Sequence, residues 1–146
     1  MHSWRDVLSV SARTDVDRML SAALSMAKQQ LSGSSEFDPF ALVTDIDGRL
    51  LAADVDLTGL GRHPESDKIA DAATARLRML APTARASALT VNTRLSERRT
   101  DAVEVRLEHR EGAALMVFLP YKRPRFGGAI DFGELMQSPG AREIWT

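Results

Sequence analysis

The chain has 146 residues, of which 44% are hydrophobic and 27% are charged, close to the averages of globular domains. This length suits one domain with one core, so we predict a single domain over residues 1–146. Nineteen Lys and Arg residues stand against twenty Asp and Glu, giving a net charge of −1. Such a balance provides no overall field to attract nucleic acid or an anionic membrane, and neither partner is predicted.

The chain contains no cysteine, which excludes disulfides, thiol catalysis and Cys-ligated zinc and fits a reducing cytosol. Charged residues interrupt the first twenty positions, so the apolar core of a signal peptide is absent there. No apolar run is long enough to cross a bilayer. These features predict a cytoplasmic location.

Apolar residues recur at helical spacing in two stretches. The first predicts a helix over about 15–31, with Thr14 as its N-cap, and the second predicts a helix over about 65–81 that follows Pro64. Residues 3–9 are expected to add one or two helical turns. The many alanines of the second helix indicate a close approach to a sheet.

Between the helices, residues 40–46 and 49–55 are predicted to form two strands. Asp47-Gly48 joins them as a two-residue type I′ turn. With that loop length, Leu42 lies opposite Ala53.

Three more strands are predicted over 86–93, 102–110 and 113–119. The second alternates apolar and charged residues and ends near His109, which we expect at the rim or partly buried. The third is apolar on both faces, as in a central strand. Val117 and Leu119 are expected to point outward and to need a covering partner.

Residues 122–146 are predicted to form an irregular extension with a short strand at 129–132. Lys122, Arg123 and Arg125 are candidate binding residues for a phosphate, a nucleic-acid backbone or an acidic partner. Three cations in four positions are more often a solvated loop. Trp145 either folds back over the sheet or anchors an interface.

The stretch Leu42-Val-Thr-Asp45-Ile-Asp47-Gly48 resembles the first motif of the haloacid dehalogenase superfamily. That resemblance implies a Mg²⁺-dependent phosphatase in which Asp45 is the nucleophile and Asp47 the general acid and base. Arg49 stands where that motif has Thr, and the fold needs a parallel sheet with several crossover helices. A hairpin turn is therefore the favoured interpretation, with the phosphatase as an alternative.

The three histidines lack the spacing of a zinc site, and neither a metal nor a cofactor is predicted. The order helix, hairpin, helix and three strands over about 14–121 resembles the roadblock and profilin-like architecture. This resemblance implies an α+β domain with one antiparallel five-stranded sheet and two main helices, which dimerises or binds a regulatory partner.

The chain also looks like a family of small bacterial proteins that end in similar Tyr-Gly-Glu-Leu and Ile-Trp segments, a resemblance that implies no activity. We expect a non-catalytic protein-interaction or regulatory module that acts as a homodimer or with a protein partner. An immunity or inhibitor protein is a further alternative.

Overall fold

A computed structural model of the chain describes residues 4–146 as an α+β domain. Its helices are α1 (Trp4–Val7), α2 (Val10–Gly33) and α3 (Ser66–Leu80), and a 3-10 turn (Ala81–Thr83) follows α3. Its strands are β1 (Phe40–Asp45), β2 (Leu50–Ala53), β3 (Ala84–Leu95), β4 (Thr100–His109), β5 (Ala113–Lys122), β6 (Asp131–Phe132) and β7 (Met136–Pro139). None of the helices within these residues has the length and apolar character needed to span a bilayer.

The strands form one antiparallel sheet in the order β2, β1, β3, β4, β5, and both β6 and β7 pair with β5. The sheet therefore has seven strands, and the expectation of five is wrong. Of the two additional strands, β6 lies within the short strand predicted at 129–132, and β7 lies in the segment predicted to be irregular. They satisfy backbone groups along the outer edge of β5, which an exposed edge would leave unpaired.

The β1–β2 hairpin differs from the predicted one by one residue of register. Leu42 pairs with Ala52, and the Asp45 N–H donates to the Arg49 carbonyl across a three-residue loop. Gly48 has a φ of +86°, but Asp47 does not have a positive φ, since Arg99 is the one non-glycine residue with positive φ between residues 4 and 146. A type I′ turn needs positive φ at both of its central residues, so the two-residue turn is replaced by a longer loop that ends in glycine.

Helix α2 covers one face of the sheet, which we call the α2 face. It begins at Val10 rather than near residue 15, because Ser9 instead of Thr14 provides the N-cap: its hydroxyl accepts a hydrogen bond from Ala12 N–H. The buried side of α2 packs against residues from β1, β3, β4 and β5. This face holds the larger part of the core.

Helix α3 covers the opposite face, which we call the α3 face. Strands β2 and β3 lie on either side of β1, and both run antiparallel to it. The chain must therefore cross the sheet to connect them, and α3 makes that crossing. Ala73 and Leu77 pack against β1 and β3, and Ile144 and Trp145 of the C-terminal segment join the same cluster.

Strand β5 corrects the expectation that Val117 and Leu119 point outward. Their side chains are 3% and 4% exposed and belong to the core beneath α2. Met116 and Phe118 occupy the alternate positions, on the α3 face, and are half-buried. Because β5 is apolar on both faces, its sequence alone does not show which set meets the larger helix.

Candidate functional site

Asp45 and Asp47, the residues of the phosphatase alternative, belong to the β1–β2 loop. One oxygen of Asp45, Oδ1, accepts hydrogen bonds from the N–H groups of Asp47, at 2.9 Å, and Arg49, at 2.8 Å. Asp47 is exposed and its carboxylate lies 3.7 Å from the Arg49 guanidinium. Asp45 thus closes the loop, as aspartate side chains do in turns. The described strands pair antiparallel, whereas the phosphatase resemblance implies a parallel sheet.

The basic segment 122–125 does not present its three cations together. The Arg123 guanidinium donates to the carbonyls of Leu31, at 3.0 Å, and of Ser34. These carbonyls lie at the C-terminal end of α2, where a cation is favourable. Lys122 and Arg125 are exposed. Arg123 therefore fastens the end of α2 to the sheet.

Trp145 folds back onto the α3 face, which is the first of the two placements considered for it. It is half-buried, and its indole Nε1–H donates to the Ala81 carbonyl at 3.3 Å. Glu108, 4% exposed, accepts hydrogen bonds from the N–H groups of residues 143, 144 and 145 at 3.1, 2.9 and 3.0 Å. Arg142 Nε lies 3.5 Å from the same carboxylate. We call Glu108 with these three amides the tail clamp.

A surface at the β2 edge of the sheet exposes apolar side chains. Within residues 4–146, β2 pairs only with β1. Leu51 of β2 is 46% exposed, and Met79 of α3 is 72% exposed. A groove of about 480 Å³ lies between α3 and the residues that follow β2, and it is lined by Asp54, Val55, Asp56, Ala72, Ala75, Arg76 and Met79. We call this region the edge surface.

A second concavity lies on the α3 face, where α3, the sheet and the C-terminal segment meet. It has a volume of about 250 Å³. Helix α3 contributes Thr74 and Leu77; the strands contribute Ser87, Leu89, Arg106, Leu107, Glu108, Leu115 and Met116; and the C-terminal segment contributes Gly140, Ala141, Glu143 and Ile144. We call it the tail pocket.

Comparisons of the chain with protein-family models, with curated proteins and with solved structures found no match. The functional assignment therefore depends on the chemistry and geometry of this chain.

A buried ionic network connects α2 to the strand ends. Asp15, 3% exposed, receives Arg85 Nη2 on Oδ1 at 2.7 Å and lies 3.0 Å from His109 Nε2 through Oδ2. The Glu111 backbone N–H donates to His109 Nδ1 at 3.1 Å. Nδ1 is therefore the acceptor, which places the imidazole proton on Nε2, facing Asp15.

His109 is 2% exposed, so it is more deeply buried than the expected rim position. Both of its ring nitrogens are engaged, and the network stabilises the fold. The sequence signal for it was Asp15, an acid within the apolar stripe of α2. No three His, Asp or Glu side chains of the described residues converge as metal ligands do.

Proposed function

We propose that the protein is a non-catalytic interaction module that associates with a second copy of itself through the edge surface. The observation that carries the proposal is the exposure of Met79, at 72%, and Leu51, at 46%, beside a strand edge that pairs on one side. Large apolar side chains that cluster at the surface are typical of interfaces. An unpaired strand edge can also extend a sheet into another chain.

The chemistry of the edge surface favours an identical partner. A two-fold interface uses the same patch on both copies and must be complementary to itself. The groove carries acids, Asp54 and Asp56, together with a base, Arg76, so each copy offers both signs of charge. The small side chains of Ala72 and Ala75 allow two α3 helices to approach closely. Arg76 Nε is buried and has no hydrogen-bond partner in the described part of the chain.

Oligomeric state tests the proposal directly. Sedimentation velocity or light scattering over a range of concentrations should detect a dimer for the native chain. Met79→Lys should shift the protein to monomer, because it places a charge in the apolar centre of the interface. Lysine near the C-terminal end of α3 is favourable to that helix, so the fold is expected to remain intact.

Val10→Glu is the matched control. Val10 is also 72% exposed and also lies on a helix, but at the start of α2, where an acid is favourable. We expect Val10→Glu to remain dimeric. A native chain that is monomeric at concentrations up to about 1 mM would contradict the proposal, as would equal association of both variants.

A further inference from the structure

We propose that the tail pocket binds a small, largely apolar carboxylate, whose carboxylate group receives hydrogen bonds from Arg106 and Ser87. The site is separate from the edge surface and does not depend on self-association. Residues of α3 contribute to both, but from different sides of the helix. Thr74 and Leu77 line the tail pocket, whereas Ala72, Ala75 and Met79 line the groove.

The size of the pocket limits the ligand. An apolar cavity of about 150 Å³ is sufficient for benzene, and the tail pocket has about 250 Å³. A ring or short branched chain with one polar arm therefore fits. The walls facing such a body are Leu77, Leu89, Met116 and Ile144, which suits an apolar group of this size.

Arg106 supplies the cationic donor. Its Nε donates to Glu104 Oε2 at 2.5 Å, while its two terminal nitrogens make no hydrogen bond within residues 4–146. The terminal pair of a guanidinium forms a planar fork that matches a carboxylate. The Arg106 side chain is 42% exposed, so a ligand can reach it from the open side of the pocket.

Ser87 supplies a second donor on the pocket floor. This residue is 2% exposed, on the α3 face of β3. Its hydroxyl has no hydrogen-bond partner in the part of the chain that the structure describes, although Ser87 lines the pocket. The hydroxyl is not among the buried atoms of the described residues that lack a partner, so it is accessible from the pocket, where a ligand acceptor can take the place of water.

The neighbouring acids leave the Arg106 fork available. Three backbone amides and Arg142 compensate the Glu108 carboxylate, and Glu104 is compensated by Arg106 Nε. Glu143 is exposed, where water and salt screen its charge. A ligand carboxylate thus meets the terminal nitrogens of Arg106, which make no hydrogen bond to any of these acids.

Titration of the full-length chain with phenylacetate and with phenylacetamide, followed by calorimetry or by NMR, tests the proposal. The two probes have the same shape and differ in charge. We expect phenylacetate to bind with a Kd of about 0.1–1 mM, a range suited to a ligand of this size. It should bind at least about tenfold more tightly than the amide, because a hydrogen bond to a charged group is the stronger one.

Two variants assign the effect to Arg106. Removing Arg106 alone would leave the Glu104 carboxylate buried without its partner, so the double variant Glu104→Gln with Arg106→Gln is used to keep a neutral pair. It should reduce phenylacetate binding to the level of the amide. Glu104→Gln alone removes the carboxylate that competes with the ligand for the Arg106 guanidinium. It should tighten phenylacetate binding and leave phenylacetamide binding unchanged.

Arg94→Gln, at an exposed ion pair with Asp101, is the control and should bind phenylacetate as the native chain does.

Equal binding of the two probes, no detectable binding of phenylacetate, or unchanged binding by the double variant would each overturn the proposal. Met79→Lys should bind phenylacetate as the native chain does. This result separates the two proposals, because loss of self-association and loss of ligand binding are then measured on different variants.

Discussion

The Asp15 carboxylate lies 3.0 Å from His109 Nε2, although the two residues are 94 positions apart in the chain. Both side chains are almost completely buried, at 3% and 2% exposure. Arg85 binds the second oxygen of the same carboxylate at 2.7 Å. One acid therefore holds the first half of α2 against the start of β3 and the end of β4.

We expect Asp15→Ala to lower the free energy of unfolding by about 3–5 kcal/mol, because it leaves His109 and Arg85 without their acceptor in a buried site. Urea unfolding followed by circular dichroism measures the change. Asp17→Ala is the matched control on the same helix. Asp17 pairs with Arg5 at an exposed position, where such pairs contribute about 0–1 kcal/mol. A loss at Asp15 no larger than that at Asp17 would contradict a stabilising role for the network.

The second prediction concerns the contribution of the Glu111 carboxyl to stability as a function of pH. Hydrogen bonds from the Ser9 backbone N–H, and then from the Ser9 hydroxyl, lower the pKa of the Glu111 carboxyl below its ordinary value. A lowered folded-state pKa contributes stability that is present above the unfolded-state pKa, about 4.3, and is lost as the pH falls through the folded value. Glu111→Gln should therefore reduce the melting temperature at neutral pH and make it less dependent on pH in the acid range.

Melting temperatures measured by circular dichroism between about pH 3 and pH 7 test this change, since that interval spans the ordinary glutamate pKa. Glu97→Gln, at an exposed position in the β3–β4 turn, is the control and should follow the native curve. If the melting temperatures of the native chain and of Glu111→Gln change in parallel through the acid range, the Glu111 carboxyl does not contribute to stability in the way predicted.

Gly140 gives the third prediction. Its N–H donates to the Ala114 carbonyl at 3.1 Å, and a Cβ at this position would lie 3.0–3.1 Å from backbone atoms of Leu115. Because backbone cannot move aside as a side chain can, Gly140→Ala should destabilise the C-terminal segment by about 1–3 kcal/mol. We expect faster proteolysis of residues 140–146 and a red shift in tryptophan emission as Trp145 becomes exposed.

Gly33→Ala provides the comparison. No atom lies within 4 Å of a Cβ placed on Gly33, and Gly33 ends a helix, where alanine is favoured by up to about 1 kcal/mol. This variant should keep the native rate of proteolysis. Equal protease resistance of the two variants would show that the close approach at Gly140 does not hold the segment.

Much of the fold follows from periodicity. The two long helices were predictable because each buries a face at a regular spacing, and β1 and β5 because they are short apolar runs. Strand β2 has no buried residue and was predictable from the turn signal before it. Strand β6 falls within the short strand predicted at 129–132, whereas β7 carries no such pattern, since its position depends on the exposed edge of β5. The predicted register of the β1–β2 hairpin was wrong by one residue. Asp47-Gly48 indicates a two-residue turn, but the Asp45 side chain accepts two backbone hydrogen bonds that favour a three-residue loop.

The candidate sites were less predictable than the fold. Arg106 and Ser87 look like an exposed charge and a small strand residue in the sequence, and they line one pocket only because β3 pairs with β4 and the C-terminal segment closes one side of it. Arg123, by contrast, looked like a ligand-binding cation but is used to cap α2. A basic side chain near a helix end can either bind a ligand or cap the helix, and the sequence does not show which of the two it does.

The tail clamp has a consequence for how freely the sequence of this protein can drift. Glu108 holds the C-terminal segment through main-chain N–H groups, which every amino acid except proline supplies. The side chain at position 143 is therefore free to change, whereas positions 144 and 145 are restricted by their packing on the α3 face. Glu108 itself has no such freedom, because one carboxylate serves three donors at once.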